Sequence, residues 1–395
     1  MTTNAPPTSA DTTPTPPGPA TAAPALPEID LRQLLALTDD TGMFQHARWA
    51  TPDPHHGYCI DDNARALIAA VLHAQVRGPT AEPSPVPIQR YLAFLVYAFD
   101  EQACRFRNFM GYDRRWLESV GSQDSQGRTL WALGEAVRLA PDDNTAGLAR
   151  NLLHRALPAA ASFEYLRSRA FALLGIEAYL TTEHDANAAA LRDQLAEHLL
   201  AVWRENASGD WPWFEDVATY DNAKLPHALL VAGASMDRPD MTDAALTSLR
   251  WLLDAQTADA GHLSIIGNEG WYPRGGKRAQ FDQQPLEAHA LVHACLAAAE
   301  HTGDNAWVDH AWRCFQWFHG GNDLGVTLYD EQTGGCQDGL RRGGANANQG
   351  AESSLAYLLS VLELHRYHQH HVPPEPRPAL SLAGTGDAHA ALMLW

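Results

Sequence analysis

A chain of 395 residues with a formal net charge of −19 at pH 7 repels nucleic acid and anionic lipid, so neither is expected as a partner. Five scattered cysteines, Cys59, Cys104, Cys295, Cys314 and Cys336, form no CxxC pair; they exclude a disulfide framework and read as free thiols in a reducing compartment. No apolar run reaches transmembrane length, and residues 1–27 carry no Lys or Arg and no apolar core of a secretory signal, so a cytoplasmic protein is expected.

The first 28 residues, rich in Pro, Thr and Ala, are expected to be a disordered tail. From there an amphipathic segment and an Ala/Leu-rich apolar segment alternate six times. The amphipathic segments are Leu31–Leu37, Ile88–Phe99, Thr145–Ala161, Asn187–Glu205, Asp240–Ala255 and Asn305–Phe318. Each leads to a short polar cluster that opens an apolar run. The first three runs are CIDDNARALIAAVLHA from Cys59, SQDSQGRTLWALGEAVRLA from Ser122 and SRAFALLGIEAYL from Ser168. The last three are YDNAKLPHALLVAGA from Tyr220, FDQQPLEAHALVHACLAAA from Phe281 and NQGAESSLAYLLSVLEL from Asn348. Starts recurring at roughly 45–65 residues signal a repeat architecture.

A helix apolar on most of its surface must be surrounded by protein, and small side chains let such helices pack closely. Six inner helices ringed by six outer ones satisfy both demands. The expected fold is therefore all-α, an (α/α)6 toroid over residues 29–371, followed by a Pro/Ala/Gly-rich tail over 372–395. An open solenoid of helix pairs is the alternative. The connections from outer to inner helix are long, except near Ser162–Arg167, and the return connections are short. Long connections carry function. They gather here at the N-terminal ends of the inner helices and hold Trp116, Trp211, Trp213, Trp271 and Tyr272.

Asp61 and Asp62 open the first inner helix. One is expected to act as a general base whose pKa the helix N-terminus keeps low. The competing explanation, that one simply caps the helix, accounts for neither the pair nor Arg65 one turn on. In the fourth start, Asp216 lies ahead of the helix and is the expected proton donor. Asp221 or Asn222 is expected to cap, with Pro226 tolerated in the first turn. Glu352 falls in the first turn of the sixth helix, where a structural role is the competing reading. Arg65, Trp116, Asp124, Arg128, Trp213, Asp221, Asn222, Lys224, Asp282, Gln283, Glu287, Asn348 and Gln349 are the expected sugar-holding residues. Carboxylates and amides hydrogen-bond hydroxyls, and aromatic faces suit the C–H faces of sugars.

Other chemistries find less support. His289 and His293 stand four residues apart but lack the HExxH pattern, so no metal or other cofactor is expected. GGK at Gly275–Lys277 and RRGG at Arg341–Gly344 keep a phosphorolytic reaction open, since such loops cradle phosphate. No GxSxG elbow occurs.

Six hairpins with acidic inner-helix starts resemble the six-hairpin glycosidase superfamily. That superfamily includes inverting glycoside hydrolases, unsaturated glucuronyl hydrolases and sugar phosphorylases. The blocks HHGYCIDDNARALIAA, WPWFEDVATYDNAKLPHALL, FDQQPLEAHAL and NQGAES look like a bacterial group often labelled glycosyltransferase or glycosidase-like and associated with mannoside-processing genes. The resemblance implies a sugar substrate, with a mannoside as one option. A nucleotide-sugar transferase would need a doubly wound α/β domain, which this pattern cannot build. The leading expectation is a hydrolase of a short neutral oligosaccharide, with Asp61 or Asp62, Asp216 and Glu352 as acids and bases. A sugar epimerase or isomerase using His227, His289 and His293 is the second reading, and a non-catalytic carbohydrate-binding protein the third.

Overall fold

The structure, a computed structural model, describes residues 25–371 apart from Thr80 and Pro83. The expected C-terminal tail and nearly all of the N-terminal one lie outside the described residues. Six helices form an inner ring: α2 (Ile60–Arg77), α4 (Gln123–Leu139), α6 (Leu166–Leu180), α8 (Lys224–Ser235), α10 (Pro285–Thr302) and α12 (Ala351–His371). Each packs on the next, and α12 closes back onto α2. The outer ring is α1 (Arg32–Ala36), α3 (Ile88–Ala98), α5 (Asp143–Ala156), α7 (Ala186–Asn206), α9 (Pro239–Ala255) and α11 (Ala306–Gln316). These pack on α12, α2, α4, α6, α8 and α10 in turn or in pairs with them. The ring is closed, so the (α/α)6 toroid holds and the open solenoid does not.

The small residues explain how closely the inner helices approach. A Cβ placed on Gly134 of α4 would stand 2.0 Å from the carbonyl oxygen of Gly175 in α6. One on Gly175 would stand 2.3 Å from the Leu130 carbonyl, and one on Gly127 2.5 Å from that of Ser168. Three glycines thus let two backbones touch where any side chain would hold them apart. Along α10, Ala288, Ala290, Ala294 and Ala298 are fully buried, consistent with a helix enclosed on all sides.

All long connections reach the N-terminal ends of the inner helices. Two-residue strands brace them in pairs, including Ala47–Arg48 with Thr51–Pro52 and Val217–Ala218 with Tyr272–Pro273. The caps differ from expectation. Helix α2 is capped by Cys59, whose Sγ accepts from the Asp62 amide at 3.4 Å, which leaves both aspartates inside the first turn. Helix α8 has Ala223 at its cap position and no side-chain cap. Asp221 and Asn222 are instead used in a turn, with Asp221 at φ 47, a conformation short polar side chains tolerate. Pro226 does fall in the first turn.

Candidate active site

The inner-helix starts meet in one cluster of ions. Arg65, one turn into α2, points its guanidinium at two carboxylates. Its Nη1 lies 3.0 Å from Asp62 and its Nη2 2.9 Å from Glu352, on the last helix. Arg128 of α4 pairs with Asp221 at 2.9 Å, stands 4.0 Å from Asp61 and rests over the Phe171 ring. Arg167 of α6 pairs with Glu215 at 2.7 Å and donates to Asn222 at 3.2 Å. Three buried guanidiniums therefore line the wall built by α2, α4 and α6.

Glu287, in the first turn of α10, is the counterpart across the ring. The backbone amides of Asp221 and Asn222 both donate to its carboxylate. The left-handed turn at Asp221 aims them there. Burial and the nearby Asp221 charge still push the Glu287 pKa up to about 8. Asp124 is also fully engaged, accepting from Ser168 Oγ at 2.6 Å and Tyr220 OH at 2.5 Å.

Burial dominates the acid–base character of the α2 carboxyls. Desolvation raises Asp62 to about 7 and raises Asp61, although Arg65 and Arg128 oppose it. The expectation that the helix N-terminus keeps these pKa values low is thus corrected. A dipole worth at most ~2 kcal/mol is outweighed when a carboxyl loses its water. The two aspartates also differ in use. Both oxygens of Asp62 are occupied, one by Arg65 and one by the Cys59 thiol at 3.0 Å. Asp61 has a side chain 25% exposed and an Oδ1 with no protein partner.

Beneath these groups lies a basic and aromatic floor. Lys224 is fully buried, stands 4.4 Å over the Trp131 ring and meets His293 Nδ1 at 3.2 Å. Desolvation lowers its pKa to about 8. His227, His289 and His293 are all held well below the ordinary histidine range by burial and by the Lys224 charge. His227 and His293 also line a cavity of about 460 Å³ at the opposite end of the ring, with Glu135, Glu177 and Arg366.

Several expected site residues sit elsewhere. The Asp216 side chain is 77% exposed and pairs with Arg274 at 3.4 Å, outside the cluster. Trp213 is wholly buried against Trp251 and Phe214, so its face is spent on packing and cannot meet a sugar. Trp116 packs its ring on Phe94 and Tyr97. Gln283 is buried and ties Trp317 to Asp323, and Gln349 spans Asp330 and Thr333. Asp282 pairs with Arg341 at 3.4 Å, and Asn348 accepts from the Trp49 amide. Each of these four side chains braces a rim loop.

The residues that the motifs did not single out are Arg167, Asp338 and Glu363, and Glu215 and Tyr220 were given no role. Arg167 lies in the carboxylate-poor third start, and its signal was the cation itself, which must find an acid when buried. Asp338, raised to about 6 by burial, accepts from the Gly350 amide just ahead of Glu352. Glu363 lies behind His293, 3.5 Å from its Nε2. Among the described residues no group of three or more His, Cys, Asp or Glu is placed to hold a metal ion, and no helix is long and apolar enough to cross a membrane.

Neither a protein-family model nor a curated protein matches the chain. Solved structures do. Cellobiose 2-epimerase from Bacillus thermoamylovorans aligns with a TM-score of 0.66 at 12% identity, over 86% of this chain and 96% of that one. A D-mannose isomerase aligns at 0.59 and 12%, over 85% and 96%. An α-mannanase from Bacteroides thetaiotaomicron aligns at 0.55 and 10%, over 79% and 87%. At such identities the likeness establishes architecture alone, and the chain shares the (α/α)6 toroid fold of these proteins.

Proposed function

We propose that the protein is a sugar-processing enzyme that hydrolyses a glycosidic bond in a short neutral oligosaccharide, with a mannoside as the first substrate to try. One observation carries this reading. Among the first-turn carboxyls of α2, α10 and α12, Asp61 and Glu352 have the most open side chains, 25% and 42% exposed, and the buried Oδ1 of Asp61 has no protein partner. Asp62 and Glu287 are buried and engaged, and Asp221 is wholly buried, with one oxygen on Arg128 and the other without a partner. Burial shifts the Asp61 pKa upward, the direction a proton donor needs, and Glu352, beside Arg65, suits the base.

In this mechanism the Asp61 carboxyl gives its proton to the glycosidic oxygen as the bond to the anomeric carbon breaks. Glu352 takes a proton from the water that attacks that carbon. The products are a free reducing sugar and a free hydroxyl, and the two carboxyls have exchanged roles until they re-equilibrate with solvent. Asp62 and Arg65 position Glu352. Asp216, out in solvent, has no part in this assignment. The likeness to an α-mannanase and the mannoside-type sequence blocks support the sugar class.

The test is turnover on aryl glycosides and manno-oligosaccharides by the wild type, Asp61→Asn and Glu352→Gln. Loss in both variants supports the assignment, and full turnover in either removes that residue.

A second reading, epimerisation or isomerisation of a sugar, draws on His289. It is a neutral imidazole under the electrostatic influence of Lys224, Arg65 and Arg128, as a base that abstracts a carbon-bound proton would be. The similarity to epimerase and isomerase structures supports this reading too. Deuterium from solvent entering an uncleaved sugar distinguishes it from hydrolysis.

A further inference from the structure

The tip of the first rim hairpin holds a tryptophan in a costly position. Ala47 and Arg48 pair with Pro52 and Thr51, which leaves Trp49 and Ala50 as a two-residue loop. Loops of this length favour Asn or Gly where φ is positive. Trp49 takes φ 54, a strained value for a bulky side chain. The residue is also 74% exposed, the highest exposure among the large hydrophobics of the described residues. A scattered exposed apolar residue is ordinary, but folding gains neither from this exposure nor from this backbone.

What holds the strain is the segment that leads into α12. The Trp49 amide donates to Asn348 Oδ1 at 3.0 Å, and the Gln349 amide donates to the Trp49 carbonyl at 2.8 Å. Gln33 Nε2 bridges the Ala50 and Gln349 carbonyls at 3.2 and 3.0 Å. The Ala351 amide donates to the Gln45 carbonyl at 3.0 Å, so the strand on the other side of the hairpin is pinned as well. Glu352 follows directly. Its charge reaches back to His46, where it partly offsets the burial that lowers the His46 pKa. The backbone that carries the indole is therefore fixed relative to the start of α12 by hydrogen bonds on both flanks.

We propose that Trp49 is the stacking platform of an outer saccharide subsite, so the ligand extends at least one sugar beyond the bond at Asp61 and Glu352. This deepens the reading of the cluster at the inner-helix starts as a sugar site and rests on it. A flat indole facing water on a braced turn offers a surface for the C–H face of a neutral sugar ring. Its backbone strain is tolerated because neighbouring groups over-determine it.

The experiment is calorimetric titration of the full chain with mannose, mannobiose and mannotriose, and with glucose and cellotriose. The wild type is expected to bind one trisaccharide more tightly than its monosaccharide. Trp49→Ala weakens that trisaccharide about tenfold and leaves the monosaccharide unchanged, while Trp49→Phe keeps most of the affinity. Trp49→Gly weakens binding as much, yet melts no lower than wild type, because glycine accepts the positive φ. Wild-type trisaccharide affinity in Trp49→Ala, or no binding of either series by the wild type, overturns the proposal. Trp49-dependent binding without bond cleavage leaves the platform standing and removes the hydrolytic reading alone.

Discussion

Arg65 joins the first inner helix to the last: one guanidinium nitrogen meets Asp62 at 3.0 Å and the other meets Glu352 at 2.9 Å. The two contacts differ in setting. Arg65 and Asp62 are buried, with side chains 5% and 7% exposed, whereas Glu352 opens to solvent. The ion pair therefore serves both to close the ring and to place the carboxylate assigned as the base.

Replacing Arg65 tests that double role. Arg65→Met leaves Asp62 buried without its cation, a loss of about 3–5 kcal/mol for a broken buried pair. The variant is expected to melt well below wild type at pH 8. Part of the loss is recovered at pH 5.5, where Asp62 is neutral. Thermal melts at the two pH values check this, and equal losses at both would separate Asp62 from the effect.

Asp62 itself makes stability depend on pH. Its folded pKa, about 7, lies above the ordinary carboxylate value. The folded chain therefore binds the extra proton, and its advantage is complete below about pH 4 and lost as pH rises to about 7. Asp62→Asn removes this dependence. Denaturant titrations should show the variant gaining on wild type by a few kcal/mol across that window. A constant difference would contradict the assignment.

As the proposed proton donor, Asp61 is expected to set the alkaline limb of activity. Burial raises its pKa, and only the protonated form donates. kcat/KM is expected to fall as pH climbs through that raised value, and Asp61→Asn to lose about 10²–10⁴-fold and the limb with it. A pH profile of both proteins reads this out.

The glycines of α4 and α6 oppose helix propensity. On propensity alone, Gly175→Ala would stabilise α6 by about 1 kcal/mol. The new Cβ would stand 2.3 Å from the Leu130 carbonyl, and overpacking of this kind costs roughly 1–3 kcal/mol. A lower melting temperature is expected. Trp213→Ala, which empties a buried site, is expected to cost about 3–5 kcal/mol without changing monosaccharide affinity.

The toroid was legible because its signal is redundant. Each inner helix must be apolar all round and each outer one on a single face, and this contrast repeats along the chain. The positions of Asp61, Arg65, Arg128, Glu287 and Glu352 were legible for a related reason: charged residues in the first two turns of inner helices meet where the helix starts converge. Loop residues were not. Asp216 and Trp213 sit close together in sequence, yet one faces solvent and the other is wholly buried, and only the fold of the loop decides which. Trp49 escaped because its local sequence gives no sign of a strained turn held by Asn348 and Gln349. The protonation of the α2 carboxyls was misjudged because helix position is written in the sequence and depth of burial is not.

The most direct measurement is product analysis in D2O with a manno-oligosaccharide panel, run on wild type, Asp61→Asn and Glu352→Gln. Wild type is expected to cleave the bond with no deuterium on carbon, and each variant to lose about 10²-fold or more. Deuterium in an uncleaved sugar, or cleavage at the wild-type rate in both variants, would contradict it.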